Sequence, residues 1–234
     1  MTIYVCVDDT DNLNSRGTGR LARAIAAELS KKYPVYGVTR HQLYVHPDIP
    51  FTSHNSCAVI HIEMDGKEYL DDIFEIAKKG IYDDFIEGSD PGLAVAHESS
   101  ISPALIAYAN DAKDTVLTQT KARTLAKNLS IRLEGLGGTE DGVIGAMAGL
   151  GLASIMNDGR FLLIGQVREL TGPQPVKKLL NAGIDEIVTL DGRKITEGII
   201  INAENKSVKP CPVNGKVILF VEEHDGKLVA VKRN

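Results

Sequence analysis

Residues 2–7 (TIYVCV) form an unbroken run of β-branched and apolar side chains, the pattern of a strand buried on both faces. From Leu21 the period changes. Leu21, Ala22, Ile25, Ala26 and Leu29 recur at helical spacing, with Arg20, Arg23, Glu28, Lys31 and Lys32 largely opposite, which predicts a helix over about 18–33. Residues 35–45 read as a second strand, ended by the turn that holds Pro47 and Pro50, and 57–64 as a third. A helix over 68–79, a short strand over 92–97, a helix over 103–109 and a helix over about 141–156 follow. Lys121, Arg123, Lys127 and Arg132 fall at spacings that suit the solvated face of one more amphipathic helix. Strands and helices that alternate in this way predict an α/β fold, a mixed sheet with helices, over residues 1–158.

After Asn157-Asp158-Gly159 the pattern shifts to short apolar runs at 161–164, 186–190, 198–202, 216–221 and 228–232, with glycine, aspartate and proline turns between them. A helix over 175–182 interrupts the series, and His224-Asp225-Gly226 signals a hairpin. Residues 159–234 therefore read as a smaller, mainly β subdomain or an extension of the first sheet.

Composition adds little to this picture. The chain's 43% hydrophobic and 24% charged residues are those of an ordinary globular protein, and 234 residues can bury a substantial core. A net charge of −5 argues against nucleic-acid binding through a general positive field. No apolar run is long enough to span a bilayer and the amino terminus does not read as a secretion signal, so the expectation is a cytoplasmic protein with no membrane partner. Cys6, Cys57 and Cys211 are few, odd in number and dispersed, which predicts free thiols rather than disulfides.

The candidate chemistry lies where the first strand ends. Asp8, Asp9 and Asp11 place three carboxylates within four residues, just before a turn (12–19) that carries Gly17 and Gly19 and opens a helix at Thr18. A helix N-terminus offers unpaired N–H groups to anions, and a hard cation such as Mg²⁺ binds through one or two carboxylates plus substrate phosphates. The pattern thus suits a metal–nucleotide complex, with the two glycines allowing close backbone approach. The competing reading is a plain turn, since aspartate and glycine are common turn residues and acidic groups complement a helix dipole.

Val7-Asp8-Asp9-Thr10-Asp11 with Thr18 at the head of the helix resembles the amino-terminal signature of archaeal tRNA-isoleucine agmatinylcytidine synthetase. Three further blocks in the same order carry the resemblance: His46-Pro47-Asp48-Ile49-Pro50 for an Asn-Pro-x-x-Pro turn, Asp90-Pro91-Gly92 for Asn-Pro-Gly, and Gly142-Val143-Ile144-Gly145-Ala146 for Gly-Leu-Ile-Gly-Ala. The resemblance implies an ATP-using catalytic region in which Asp8, Asp9 and Asp11 handle Mg²⁺, and Asp9 and Thr18 take part in phosphate transfer. It also places Gly17, Gly19, His54 and Gly142 near the nucleotide, although Gly142, with Gly145 and Gly149, also suits close packing of its helix on a strand or another helix. Thr18 is equally suited to cap the helix.

The chain departs from that family in its basic residues. A Lys-Thr-Arg-Gly-Asn segment is here Thr52-Ser53-His54-Asn55-Ser56, and a basic loop is replaced by Thr139-Glu140-Asp141, acidic groups that would repel RNA phosphates. Three scattered cysteines cannot supply the paired motifs of a zinc ribbon. The sequence therefore predicts a Mg²⁺- and ATP-dependent phosphotransferase or ligase whose partners are a nucleotide and an acceptor, either a small amine or RNA, without tight tRNA binding by this surface. A nucleotide- or anion-binding module without catalysis, and an interaction protein, are the alternatives.

Overall fold

The computed structural model describes residues 1–12, 17–51, 54–202 and 206–232. Residues 13–16 of the predicted 12–19 turn, Thr52 and Ser53 of the segment that departs from the family, and Arg233 lie outside the described residues. Two units divide the chain, Met1–Ser154 and Ile155–Asn234.

In the first unit the buried run becomes β1 (Ile3–Asp8), with every residue buried or nearly so, and the helical period becomes α1 (Thr18–Leu29). There follow β2 (Val35–Gln42), β3 (Ser56–Ile62), α2 (Leu70–Asp83), β4 (Gly92–His97), α3 (Pro103–Asp111), α4 (Gln119–Leu129), β5 (Arg132–Gly135) and α5 (Gly142–Ser154). Ser102 caps α3, accepting from the Leu105 amide, and Thr118 caps α4 in the same way through Lys121. β5 is short, with all four residues only half-buried, and carries no alternating signal in the sequence.

The strands of this unit run in the order β5-β4-β1-β3-β2, and each adjacent pair is antiparallel. β1 lies in the middle, with Val7 opposite Ala58 on one side and Leu93 on the other. Helices α1 and α2 pack on one face of the sheet. On the other, α3, α4 and α5 close a core built with Tyr4, Cys6, Cys57, Val59, Ala94 and Ala96. Helix α5 is apolar all round and almost wholly buried. Its glycines let it lie against the sheet: a Cβ at Gly149 would stand 2.3 Å from Cys6 Sγ and 2.8 Å from Cys57 Sγ. Close approach outweighs the roughly 1 kcal/mol that each glycine costs a helix.

The second unit contains β6 (Arg160–Ile164), β7 (Gln174–Pro175), α6 (Val176–Asn181), β8 (Glu186–Thr189), β9 (Ile199–Ile201), β10 (Cys211–Val213), β11 (Lys216–His224) and β12 (Lys227–Ala230). Its sheet is mixed. β11 pairs antiparallel with β10 and β12 and parallel with β8, while β12 runs parallel to β9. The expected hairpin joins β11 and β12 through Asp225 and Gly226, both at positive φ (50° and 71°), as a tight two-residue turn requires. The α/β fold with a smaller, strand-rich C-terminal part is thus observed, with the parallel pairings in the second unit. Cys6, Cys57 and Cys211 are buried thiols. Among the described residues no helix is long and apolar enough to cross a membrane.

Candidate active site at the end of the central strand

Antiparallel pairing gathers one end of the sheet from distant parts of the chain. The end of β1, the start of β3, the start of β4, and the ends of β2 and β5 meet there, as the registers Asp8↔Gly92, Gln42↔Ser56 and Gly92↔Gly135 show. The N-terminal residues of α1 and α5 reach the same end, through contacts of Thr18 with Thr10 and of Gly142 with Asp90.

Strand alternation turns Asp8 to the α5 face, beneath the helix: a Cβ at Gly145 would stand 1.9 Å from its Oδ2. Only 8% of Asp8 is exposed. Burial, and then the charges of Asp9 and Asp11, push its pKa well above the usual carboxylate range. Asp9 adopts the left-handed region (φ 50°), which aspartate tolerates, and its carbonyl accepts from the Asp90 amide at 3.1 Å. Its carboxyl is pushed up to about 6, first by burial and then by Asp90, Asp11 and Asp141.

Thr10 and Thr18 are buried and bonded to each other. Thr10 Oγ1 donates to Thr18 Oγ1 at 3.1 Å, and Thr18 Oγ1 donates to Asp11 Oδ1 at 3.4 Å. Thr18 does not cap α1. That position belongs to Gly17 (φ 84°), which has no side chain to bond, so the Thr18 hydroxyl is left to face the aspartates. Gly19 lies in the first turn of α1, its carbonyl accepting from Arg23 Nη1 at 2.7 Å.

Gly142 is a point of close packing. Its amide donates to the Asp90 carbonyl at 3.0 Å, and a Cβ there would meet Gly92 N at 2.4 Å and Asp8 O at 2.9 Å. The glycine brings α5 against the ends of two strands, and its N–H is committed inside the protein rather than offered to a phosphate. His54 is exposed two residues before β3, at the same end of the sheet. The other histidines of that region separate: His41 and His61 are buried, each 2.8 Å from the Thr39 hydroxyl, whereas His46 is stacked on Tyr44.

Asp90 and Asp141 are the site residues that the sequence did not single out as carboxylates acting on Asp9. They lie far from it along the chain, and the Asp-Pro-Gly at 90–92 and the acidic segment at 139–141 named them without tying either to Asp9. Asp90 Oδ1 accepts from the Thr139 amide and Asp141 Oδ1 from Gln119 Nε2 at 2.7 Å, so hydrogen bonds hold both in place. The acidic loop at 139–141 is partly neutralised where Arg123 pairs with Glu140.

Among the described residues no three histidine, cysteine or acidic side chains are grouped closely enough to encage a metal ion by themselves. The donor set nevertheless fits Mg²⁺. It consists of oxygen ligands, Asp8 and Asp9 are adjacent and disfavoured as anions first by burial and then by neighbouring carboxylates, and this ion requires only one or two protein carboxylates.

No family model and no curated protein matches the chain. Solved structures do. The protein shares its fold with the crystal structure of apo TiaS, an agmatidine synthetase for an isoleucine tRNA, at 22% identity and a TM-score of 0.55 over 64% of this chain and 35% of that one. The complex of TiaS with its tRNA and ATP aligns at 23% identity with a TM-score of 0.56, and the complex with tRNA, AMPCPP and agmatine at 22% and 0.55, each over 64% of this chain and 36% of the other. The resemblance drawn from the sequence is therefore matched by a likeness of fold. The matched part spans about a third of the length of those structures, and at such identities the likeness is one of fold alone.

Proposed function

We propose that this protein is an enzyme of Mg²⁺-dependent ATP chemistry, an ATP-dependent ligase or phosphotransferase, that activates a phosphoryl group for transfer to a small amine or an RNA. The observation that carries this reading is the pair Asp8 and Asp9. Both are held partly or wholly out of water with raised pKa values, beside a helix that begins with a buried threonine. An acidic pair so placed destabilises the fold unless a cation occupies it. The shared fold with TiaS, whose structures include complexes with ATP and with AMPCPP and agmatine, adds support.

Mg²⁺, held by Asp8 and Asp9 with Asp11 close by, would neutralise phosphate charge. The chain's own residues supply positioning. Thr10 donates into Thr18 Oγ1 and Asp11 accepts from it, so the Thr18 oxygen keeps one lone pair for a phosphoryl group in front of α1, with Asp11 as the acceptor of its proton. The amides that open α1 offer hydrogen bonds to phosphate oxygens, and Gly17 leaves their approach open. Phosphoryl transfer depends mainly on such positioning and charge neutralisation.

The test is calorimetric titration of ATP into the purified protein with Mg²⁺ and with EDTA, followed by assay for released ADP, AMP or pyrophosphate in the presence of candidate amines and RNA. Metal-dependent binding with turnover is expected. Binding without turnover would make the protein a nucleotide-binding module, and no binding at millimolar ATP would refute the reading.

A further inference from the structure

We propose that Arg40 is a phosphate-binding residue of this site, a guanidinium that engages the triphosphate from the β2 side. The inference rests on the ATP reading above. Asp8, Asp9, Asp11, Asp90 and Asp141 act together at this end of the sheet, and a triphosphate adds further negative charge that one divalent ion does not balance. Residues 52–56, Thr-Ser-His-Asn-Ser, contribute no lysine or arginine. Another cation is needed, and the strand register supplies one.

Arg40 pairs with Ala58, which in turn pairs with Val7, so Arg40 lies level with the last residues of β1. Alternation sends its neighbours Thr39 and His41 to the buried polar cluster with His61 and directs Arg40 to the opposite face, on which α1 packs. There its Nε donates to Ser56 Oγ at 2.8 Å. Ser56 thereby orients the guanidinium, and among the described residues neither terminal nitrogen has a hydrogen-bond acceptor. Asp11 lies within its electrostatic reach, and the Thr18 hydroxyl donates to that same carboxylate. Arg40 and Thr18 thus approach Asp11 together. A planar fork with both terminal amino groups open suits two phosphate oxygens, which a lysine would meet only as a point charge. Half-burial disfavours this charge, yet arginine remains protonated and keeps its donors.

The test compares Mg²⁺-ATP and adenosine binding in wild type, Arg40→Gln, Arg40→Lys and Ser56→Ala, with Asp9→Asn as reference. Loss of a charge-assisted pair should weaken ATP binding by Arg40→Gln roughly tenfold or more while adenosine is unaffected. Arg40→Lys should recover part of that loss, and Ser56→Ala should weaken ATP by a few-fold. Wild-type ATP affinity in Arg40→Gln, together with loss in Asp9→Asn, overturns this inference and leaves the ATP reading intact. Equal weakening of ATP and adenosine assigns Arg40 a structural role and also overturns it. Absence of ATP binding by wild type removes both. If Arg40→Gln does not fold, Ser56→Ala decides, because unchanged ATP affinity there is equally fatal.

Discussion

Asp9→Asn should make the metal-free protein more stable at neutral pH while removing its response to Mg²⁺. In the folded chain the Asp9 carboxyl is pushed from its ordinary 3.8 to about 6, by burial first and then by Asp90, Asp11 and Asp141. Folded Asp9 therefore holds its proton more tightly than unfolded Asp9. Below pH 3.8 it is protonated in both states and imposes nothing. Between 3.8 and about 6 the unfolded state ionises first, so stability falls as pH rises, and above about 6 the whole penalty is present. The full interval corresponds to about 3 kcal/mol; because Asp9 is only part-buried and solvent screens its neighbours, about 1–2 kcal/mol is the realistic share. In a chain of this size that is a rise of about 3–6 °C in melting temperature.

Asparagine accepts the positive φ as readily as aspartate, so no new backbone strain obscures the result. The assay is thermal melting in EDTA across about pH 5 to 8, with the variant compared to wild type at each pH so that other titrating groups cancel. The gap should open with rising pH and narrow toward about pH 5. Added Mg²⁺ should raise the wild-type melting temperature and leave that of Asp9→Asn unmoved. A variant no more stable than wild type in EDTA near neutral pH would refute the electrostatic reasoning.

Thr18→Val should retain the fold and most Mg²⁺-ATP affinity but abolish turnover if that hydroxyl reacts, with single-turnover product as the readout. Gly149→Ala gains about 1 kcal/mol of helix propensity yet should destabilise the first unit by about 1–3 kcal/mol net, because the new methyl meets the thiols of Cys6 and Cys57; denaturant melts measure it. His61 is buried, and its pKa is pushed down to about 3, first by burial and then by His41. Since the unfolded imidazole takes up a proton near pH 6.5, this residue makes the fold less stable as pH drops from there toward 3. Its ring resonances should not titrate in NMR spectra between about pH 8 and about pH 4, where an ordinary histidine does.

Much of this was legible in the sequence because it is local. An unbroken apolar run needs no partner to announce β1, β4 was bounded to the residue by glycine and the change of pattern after His97, and Asp225-Gly226 carries its turn in its own backbone preferences. The aspartates at the end of the first strand were visible in the same way, as polar residues where an apolar pattern stops. Apolar periodicity reports which side chains are buried but not what lies across from them. Strand order, antiparallel pairing in the first sheet and the mixed pairing in the second were therefore decided by tertiary structure alone. So were the weak elements: β5 is half-exposed without alternation, and β7 has only two residues.

The site divides along the same line. Asp8, Asp9, Asp11 and Thr18 stand in the motif, but what makes Asp9 unusual is first its burial and then Asp90, Asp11 and Asp141, and of these Asp90 and Asp141 reach it only because β1 and β4 are neighbours and α5 begins beside them. Glycine in the α5 sequence suits close packing as well as phosphate contact, and which strand ends crowd Gly142 is set only by the fold, since its sequence neighbours say nothing of them. Arg40 was an ordinary strand position until the register brought it level with Val7. The sequence determined which groups the chain carries and the local conformation around them. Their proximity, their burial and hence their charge state depend on contacts between residues far apart in the chain, and only the folded structure sets those.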